Sequence, residues 1–400
     1  MEKKMMLLGA GPLQLPAIRK AKELGYQLIL VDYDENAPGF EMADTKLVVS
    51  TLDQEEVYRQ ALIYRPDVVL TSTSDGPVRT AAYVNEKLGK QPDLSYEDAL
   101  CATIKSHMRE RLSRYHVPGP EYYVINDFPE FVAAVNKLAE QCIVKPADNA
   151  GSRGVVLLKK PFEGDEELSR VYEYSKSYAR NGIVLVEEYL AGAEVSVEAM
   201  TIQGETTVIA ITDKLTTPPP YFVEMGHSQP SMLAIEVQEA IKAITIQAVK
   251  AIGLMNGPSH TEIKVTGEGP KIIEIAARLG GDYITSKLVP LSTGVDMVGN
   301  SVLLAAGEAV EITCREQKGA AIRFIPGEPG KIEKITIDQR IHEIKGLEEF
   351  VLYKKEGEYV NGTRSSNDRL GHVIAQGRDA AQAMAAAQKA LQCIRVEIIP

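Results

Sequence analysis

The stretch Ile143 to Val155, I-V-K-P-A-D-N-A-G-S-R-G-V, limits the folds open to this chain more than any other. A short apolar strand delivers Lys145 against Pro146. A small polar loop follows, with Ser152 and Arg153 set between Gly151 and Gly154. Glycines permit positive φ and close backbone approach, successive N–H groups can form an anion-binding concavity, and the lysine adds a point charge. A Walker loop is excluded. That motif runs G-x-x-x-x-G-K-[ST] into a helix, whereas here the lysine precedes the glycines and V-V-L-L after them reads as a second strand. The stretch predicts a hairpin whose tip covers phosphates, with an ordinary surface hairpin as the alternative.

At 400 residues and 44% hydrophobic content, the chain can close about two to three domain cores without metals or disulfides. Its four cysteines, Cys101, Cys142, Cys314 and Cys393, form no C-x-x-C pair and read as buried thiols in a reducing compartment, so the cytoplasm is expected. Lys3 and Lys4 ahead of Met5 to Ala10 imitate a leader, but Pro12, Gln14 and Arg19 interrupt the apolar run. No run reaches membrane-spanning length, so no membrane partner is expected. A formal charge of -11 argues against a nucleic-acid surface, which needs a basic field. Any phosphate is gripped locally.

Residues 1–94 read as an α/β domain. Met5 to Leu8 is a strand, Gly9-Ala10-Gly11 leads into a helix through Leu24, and Tyr26 to Val31 is a strand ending at Asp32. G-x-G and a later acidic residue are two parts of the dinucleotide fingerprint. The third fails, because Gln14 stands where glycine is required and Pro12 removes an N–H. Helix Glu55 to Tyr64, strand Asp67 to Thr71 and helix Val78 to Leu88 continue the pattern. Ligands of such sheets sit beyond strand carboxyl ends, which assigns Gly9 to Gln14, Asp32 to Asp34 and Ser72 to Gly76 to substrate.

Residues 95–118 read as a linker: Ser95 opens one long amphipathic helix carrying Lys105, Arg109 and Arg111. Lys105 and Arg109 are i, i+4 neighbours that can face one anion, or form a solvated basic face. Val117-Pro118-Gly119-Pro120 ends this helix. Residues 119–188 form a small α+β lobe: strand, helix Pro129 to Ala139, the hairpin, helix Glu166 to Tyr178 and strand Ile183 to Val186. Glu187-Glu188-Tyr189-Leu190 then crosses in extended form and can offer alternating N–H and C=O groups to an adenine edge. Glu194 can accept from ribose hydroxyls. The alternative is a charged strand end.

Residues 189–310 form a second lobe. Thr206 to Ile211 is a strand, and Lys214 to Ser231 reads as a long loop stiffened by Pro218-Pro219-Pro220. His227 on it is either a charge stabiliser over a reacting phosphate or a solvated histidine. Helix Glu236 to Ile252 follows. Thr261 to Val265 and Lys271 to Ala277 then alternate like paired strands, and a turn symmetric about Glu268 sets Glu262 across from Glu274. Opposed like charges are destabilising unless a cation lies between them, and two carboxylates on one face suit Mg²⁺. Arg278 lies on the same face, where its fork can hold phosphate or carboxylate. A helix near Met297 to Ala306 closes the lobe. Residues 311–400 read as a small α+β region with strands Ala320 to Phe324, Phe350 to Tyr353 and His372 to Gln376 and helix Ala380 to Gln392. Its polar loop Gly362 to Ser366 has no assigned role.

Taken in order, these pieces resemble the ATP-grasp superfamily of carboxylate-amine ligases. They are the N-terminal α/β domain, Lys105, V-K-P at Lys145, the glycine loop, E-E-Y-L with G-x-E, the T-E strand and E-I-A-A-R. The resemblance implies an α/β fold: an open parallel pre-ATP-grasp domain, a two-lobed α+β ATP-grasp fold and the C-terminal α+β region. It implies that Lys105 and Lys145 contact ATP phosphates under the loop of Gly151, Ser152, Arg153 and Gly154. It further implies that Glu187, Glu188, Tyr189 and Leu190 read adenine and Glu194 the ribose, and that Glu262 and Glu274 hold two Mg²⁺, with Mn²⁺ able to substitute. Many relatives have Asn where this chain has Ala276, which leaves one metal with fewer protein ligands. G-H-S-Q-P-S at Gly226 to Ser231 and G-P-S-H-T-E ahead of the metal strand resemble the L-amino acid ligase branch. Glycinamide-ribonucleotide synthetase and biotin carboxylase-type enzymes are similar in layout. The implied reaction activates a small-molecule carboxylate as an acylphosphate and joins it to an amine, with Lys145, Arg278 and His227 opposing developing charge. A homodimer is compatible with the pattern. The alternatives are a silent ATP-binding regulatory module and a purine-pathway ligase.

Overall fold

The computed structural model describes residues 3–90, 93–149, 153–219 and 221–400. Gly151 and Ser152 of the glycine loop, and Pro220 of the triple proline, lie outside the described residues. The strands in chain order are β1 (Lys4–Leu8), β2 (Gln27–Asp32), β3 (Thr45–Val48), β4 (Val68–Leu70), β5 (Tyr122–Ile125), β6 (Gln141–Pro146), β7 (Val156–Lys159), β8 (Val184–Glu188), β9 (Ala193–Ile202), β10 (Glu205–Thr216), β11 (Glu224–Gln229), β12 (Gly257–Thr266), β13 (Gly269–Ala276), β14 (Gly319–Ile325), β15 (Pro329–Ile337), β16 (Leu347–Leu352), β17 (Tyr359–Asn361), β18 (Gly371–Gly377) and β19 (Ile394–Ile399).

The fold is mixed α/β. An open, wholly parallel sheet, β3-β2-β1-β4, is followed by antiparallel sheets. Strands β1, β2 and β4 are nearly continuous apolar runs, as expected where helices cover both faces, whereas the edge strand β3 buries only Leu47. The Gly9 to Gln14 loop, where the dinucleotide fingerprint fails, is filled from within: Gln14 lies over Gly9 and donates to Thr73 and Ser74 at 2.8 and 3.0 Å. The small lobe is the sheet β5-β8-β6-β7 over a core centred on Phe131, Tyr172 and Val144. Strands β6 and β7 pair antiparallel, Cys142 opposite Leu158, which is the predicted hairpin.

The largest sheet has eight strands in the order β13-β12-β9-β10-β11-β14-β18-β16. Three strands from the C-terminal region therefore complete the sheet that begins with the β12–β13 hairpin. One face of β9, β10 and β12, with Val195, Val197, Ile211 and Ile263, packs against helix Ile235–Ala251. The alternate residues face the other way and are polar, the period-2 consequence of strand geometry.

Three expectations are corrected. The single long helix is two, Tyr96–Cys101 and Lys105–Arg114. Ile104 between them is extended, and the Lys105 amide donates to Ala147 O at 2.7 Å rather than to its own helix. Half of the expected long loop Lys214 to Ser231 is strand, because β10 continues to Thr216 and β11 runs from Glu224 to Gln229, leaving 217–223 between them. Of the cysteines, Cys101 and Cys142 are buried, but Cys314 is exposed in an irregular segment and Cys393, at the end of the last long helix, is half-buried. Among the described residues no single helix is long and apolar enough to cross a membrane.

Candidate active site

The break before Lys105 aims its side chain. With the amide docked on Ala147, Nζ donates to Asn149 O at 2.8 Å and to Glu274 Oε1 at 2.7 Å, joining the hairpin lobe to the far edge of the large sheet. One turn on, Arg109 is buried and grips Glu187 with both arms of its fork, Nε to Oε1 at 2.8 Å and Nη2 to Oε2 at 3.1 Å. Lys145, from the centre of β6, reaches the same carboxylate at 2.7 Å. Burial disfavours the Glu187 charge, but Arg109 and Lys145 outweigh it and hold its pKa at about 2. Burial, with Arg109 and Lys105 nearby, pushes the Lys145 ammonium down. Glu187 and Glu274 are thus the two carboxylates that Lys105, Arg109 and Lys145 pair with, and the positive charge left over suits an anion of high charge.

Across the cavity the proportions reverse. Lys214, 2% exposed, is ion-paired to Glu194 at 2.7 Å, Glu262 at 2.9 Å and Glu224 at 3.6 Å. Burial lowers its pKa, but the three carboxylates raise it well above the ordinary lysine range. Sheet register explains the convergence. Thr212, Ser196, Glu262 and Glu274 form one cross-strand row and Ala210, Glu198, His260 and Ala276 the next, all on the polar face. Gly192 (φ 142°) lets β9 start against β12, since a Cβ there would lie 2.0 Å from Val265 O. Glu194 is thereby delivered to Lys214 and Lys264.

Glu262 and Glu274 are paired residues, as expected, but by a different route. The turn is tighter than a loop centred on Glu268, with Thr266 opposite Gly269, and alone it would set Glu262 against Ile273. A bulge at Ile273 shifts the register by one and brings in Glu274. Arg109 holds that bulge, donating to the carbonyls of Ile272 and Ile273 at 2.9 and 2.6 Å. The position lacking Asn, Ala276, lies opposite His260, whose Nδ1 is 2.6 Å from Glu198 and Nε2 3.6 Å from Glu262. Burial opposes the His260 charge, but Glu198 and Glu262 push its pKa up to about 9.

One cavity is lined by Lys105, Arg109, Lys145, Arg153, residues 187–190, Glu194, Glu262 and Glu274. Strand β8 runs two residues further than predicted, so the backbone of Glu187 is paired to β5 and β6 and the Glu188 amide donates to Glu121 O. Tyr189 and Leu190 are the residues of this stretch beyond the strand. A second cavity of about 550 Å³ is lined by Gly9, Gly11, Gln14, Asp32, Asp34 and Ser74 to Gly76 from the first sheet. Lys105, Asn149, Arg153 and Glu274 line both cavities.

Two predicted residues stand elsewhere. Arg278 turns to the N-terminal domain, with Nε 2.7 Å from Asp75 Oδ1. His227 is not on a loop but in β11, 1% exposed, beside Lys214 in register and with Nε2 3.3 Å from Asp282. Gly154 has φ 78°, and Arg153 donates to Asn149 Oδ1 at 2.9 Å. Sequence reasoning missed Lys214 as a buried hub, the Asp75–Arg278 pair and the Glu198–His260 pair. The alternation of Thr212 with Lys214 was the available signal for the first; the others join residues far apart in sequence and had none.

A lobe with a lysine-bearing hairpin thus faces a sheet that ends in opposed carboxylates, with a cavity between them. Residues 138–286 match the ATP-grasp domain and 323–398 the L-amino acid ligase C-terminal domain 2. The chain therefore carries a segment that matches an ATP-grasp domain and, after it, one that matches a C-terminal domain of the L-amino acid ligase type. It is 29% identical over 297 residues to the uncharacterised protein y4rH of Sinorhizobium fredii, covering 74% of this chain and 61% of that protein. It is 29% identical over 246 residues to the alanine–anticapsin ligase of Bacillus subtilis, covering 57% and 51%. It therefore spans between half and two thirds of the length of these relatives. Its fold matches the crystal structure of L-amino acid ligase from Bacillus licheniformis with a TM-score of 0.83 at 21% identity, each chain covered in full.

For a divalent cation, no three His, Cys, Asp or Glu side chains converge as a cage among the described residues. Mg²⁺ needs only a carboxylate or two beside phosphate oxygens and waters, and the opposed Glu262 and Glu274 supply that donor set. The residues fit the ion.

Proposed function

We propose that the chain is an ATP-dependent carboxylate-amine ligase acting on amino acids or similarly small metabolites. The observation that carries this reading is the shared wall: two cavities meet at Lys105, Asn149, Arg153 and Glu274. A nucleotide in the first cavity would present its terminal phosphate where a reactant in the second could meet it. The names of the relatives, ligases of alanine and of L-amino acids, favour an amino-acid substrate.

In this reading Lys105, Lys145 and Arg109 form the positive wall for the triphosphate, residues 187–190 and Glu194 take the nucleoside, and the 151–154 loop covers it. Glu262 and Glu274 would hold Mg²⁺, two ions being the number proposed; when bound it neutralises charge on the transferring phosphoryl group. Substrate carboxylate oxygen attacks the γ-phosphorus, the bond to the ADP oxygen breaks, and an acylphosphate forms. The amine then attacks the acyl carbon, phosphate leaves, and the ammonium proton passes to solvent or phosphate. Lys145 would oppose the developing charge from the nucleotide cavity itself, Arg278 from beside the second cavity, where its partner Asp75 lies, and the buried His227 through its neighbour Lys214. Segment 217–223 with Phe222 at the nucleotide cavity, and the glycine loop, would exclude water from the acylphosphate.

The test is product analysis over amino acids, singly and in pairs, with Mg-ATP. ADP and phosphate released only with a productive acid and amine, and a hydroxamate formed with hydroxylamine, are expected. AMP and pyrophosphate would reject the acylphosphate route.

A further inference from the structure

The polar loop Gly362 to Ser366 of the C-terminal region, left without a role above, reaches the central site. Ser366 Oγ donates to Glu224 Oε2 at 2.9 Å, and Glu224 lines the nucleotide cavity and faces Lys214 through its other oxygen. Three residues on, Arg369 is 7% exposed, stacked 3.6 Å from the Phe324 ring centre, and has its Nε tied to Ser366 O at 2.7 Å. Its two terminal nitrogens clasp Asp282, Nη1 to Oδ2 at 2.7 Å and Nη2 to Oδ1 at 2.6 Å, and Nη1 also donates to Glu224 O at 3.2 Å. Asp282 is in turn the partner of His227 Nε2.

What Arg369 holds is unusual backbone. Asp282 and Tyr283 both lie in the left-handed region, at φ 51° and 63°, immediately before a π-helical turn at Ile284–Leu288. Successive non-glycine residues there are costly and persist only when surrounding contacts over-determine them. Only Gly280 and Gly281 separate this turn from Arg278 and Leu279. The same guanidinium thus fixes the turn after Arg278, the partner of His227 and the strand carrying Glu224. A bidentate fork fits that task and a lysine would not.

We propose that Arg369, steadied by Ser366, is a positioning residue for the acyl-transfer side of the site, so that the C-terminal domain completes the active centre. The proposal rests on the ligase reading for its kinetic consequence and on geometry for the rest. Removing the clasp loosens Asp282, His227 and Glu224 while leaving Lys105, Arg109, Lys145 and Glu187 in place.

The experiment uses the full chain with Arg369→Lys and Arg369→Ala. Expected is a fall in kcat/KM for the acid and amine of roughly 10²-fold, the scale of a misplacement of about 1 Å, larger than the accompanying rise in KM for ATP through the loosened Glu224. Millimolar guanidinium should restore Arg369→Ala in part, and hydrogen exchange should quicken across 280–288 and 224–229 but not across 143–146. Unchanged turnover in both variants overturns the proposal, as does unchanged exchange at 280–288. A folded but inactive Arg369→Ala that guanidinium does not restore also overturns it. If Arg369→Ala fails to fold, Arg369→Lys decides by the same two readouts. A wild-type chain that binds Mg-ATP but releases ADP with no acid–amine pair sinks the ligase reading alone, and the exchange result still decides whether Arg369 holds the turn.

Discussion

Two ion clusters face each other across the first cavity, and they are near inverses. At Glu187 one buried carboxylate is shared by two cations, Arg109 and Lys145. At Lys214 one buried cation is shared by three carboxylates, Glu194, Glu224 and Glu262. Burying charge is tolerable only with close partners, and each cluster meets that demand locally while leaving a surplus of one sign. The positive surplus suits phosphate and the negative surplus suits a divalent cation. In the proposed reading each cluster is a half-site, and the sign of its surplus sets the sign of the ligand that would complete it.

The largest effect should come from Glu274→Ala. Removing the carboxylate that Lys105 and the proposed ion share should cost turnover roughly 10³-fold or more, several kcal/mol of charge stabilisation. Nucleotide binding by calorimetry should persist, and ADP release checks the loss. An active variant would remove Glu274 from the negative half-site. Next is Lys145→Met, which leaves Glu187 to Arg109 alone and removes a charge from the phosphate wall. Turnover should drop by roughly 10²–10³-fold, the scale of a lost transition-state donor, with ATP affinity reduced as well. If Lys145→Met binds ATP normally, the positive surplus is not the phosphate site.

Lys214→Met probes the other side through stability. Three carboxylates would be left without their shared cation, and breaking a buried pair costs about 3–5 kcal/mol. The melting temperature should fall in chelator and recover on adding Mg²⁺, because an ion that binds only the folded chain stabilises it by mass action. The wild type should respond far less. Equal Mg²⁺ responses in the two proteins would break the comparison.

What could be read from the sequence followed the range of the forces involved. The hairpin at Ile143 to Val155 and the parallel opening were legible because alternation and turn residues act over a few positions. The pairing of Glu262 with Glu274 was anticipated from an incorrect turn, and only the bulge at Ile273, held by an arginine 163 residues away from Ile272, makes it true. The break before Lys105 was hidden for the same reason: its cause is Ala147 O on another element. His227 was misplaced because the three prolines ahead of it suggested a long loop, while the strand on either side of residues 217–223 is set by pairing with β9 and β14. The Arg369 clasp had no local signature at all. Periodicity exposes faces; ion clusters gathered from four or five elements become visible only when the sheet order is known.

The smallest effect is also the cleanest test of sign. The pKa of Glu187 is about 2 in the folded chain against an ordinary 4.5, so its folded form is depressed. A depressed carboxylate contributes stability that is complete above its unfolded pKa and is lost as pH falls through the folded one. The Glu187 contribution should therefore be constant above about pH 5 and shrink between pH 4.5 and 2. Its full size is on the order of 3 kcal/mol from the shift alone. Glu187→Gln, which keeps the shape but not the charge, should be less stable than wild type at pH 7, with the gap closing over that acid window in urea melts. The same variant leaves Arg109 and Lys145 without their carboxylate, so pyrophosphate should stabilise it more than it stabilises wild type, while Mg²⁺ alone should not. Rescue by Mg²⁺ rather than by the anion would mean the two clusters are not opposite in kind.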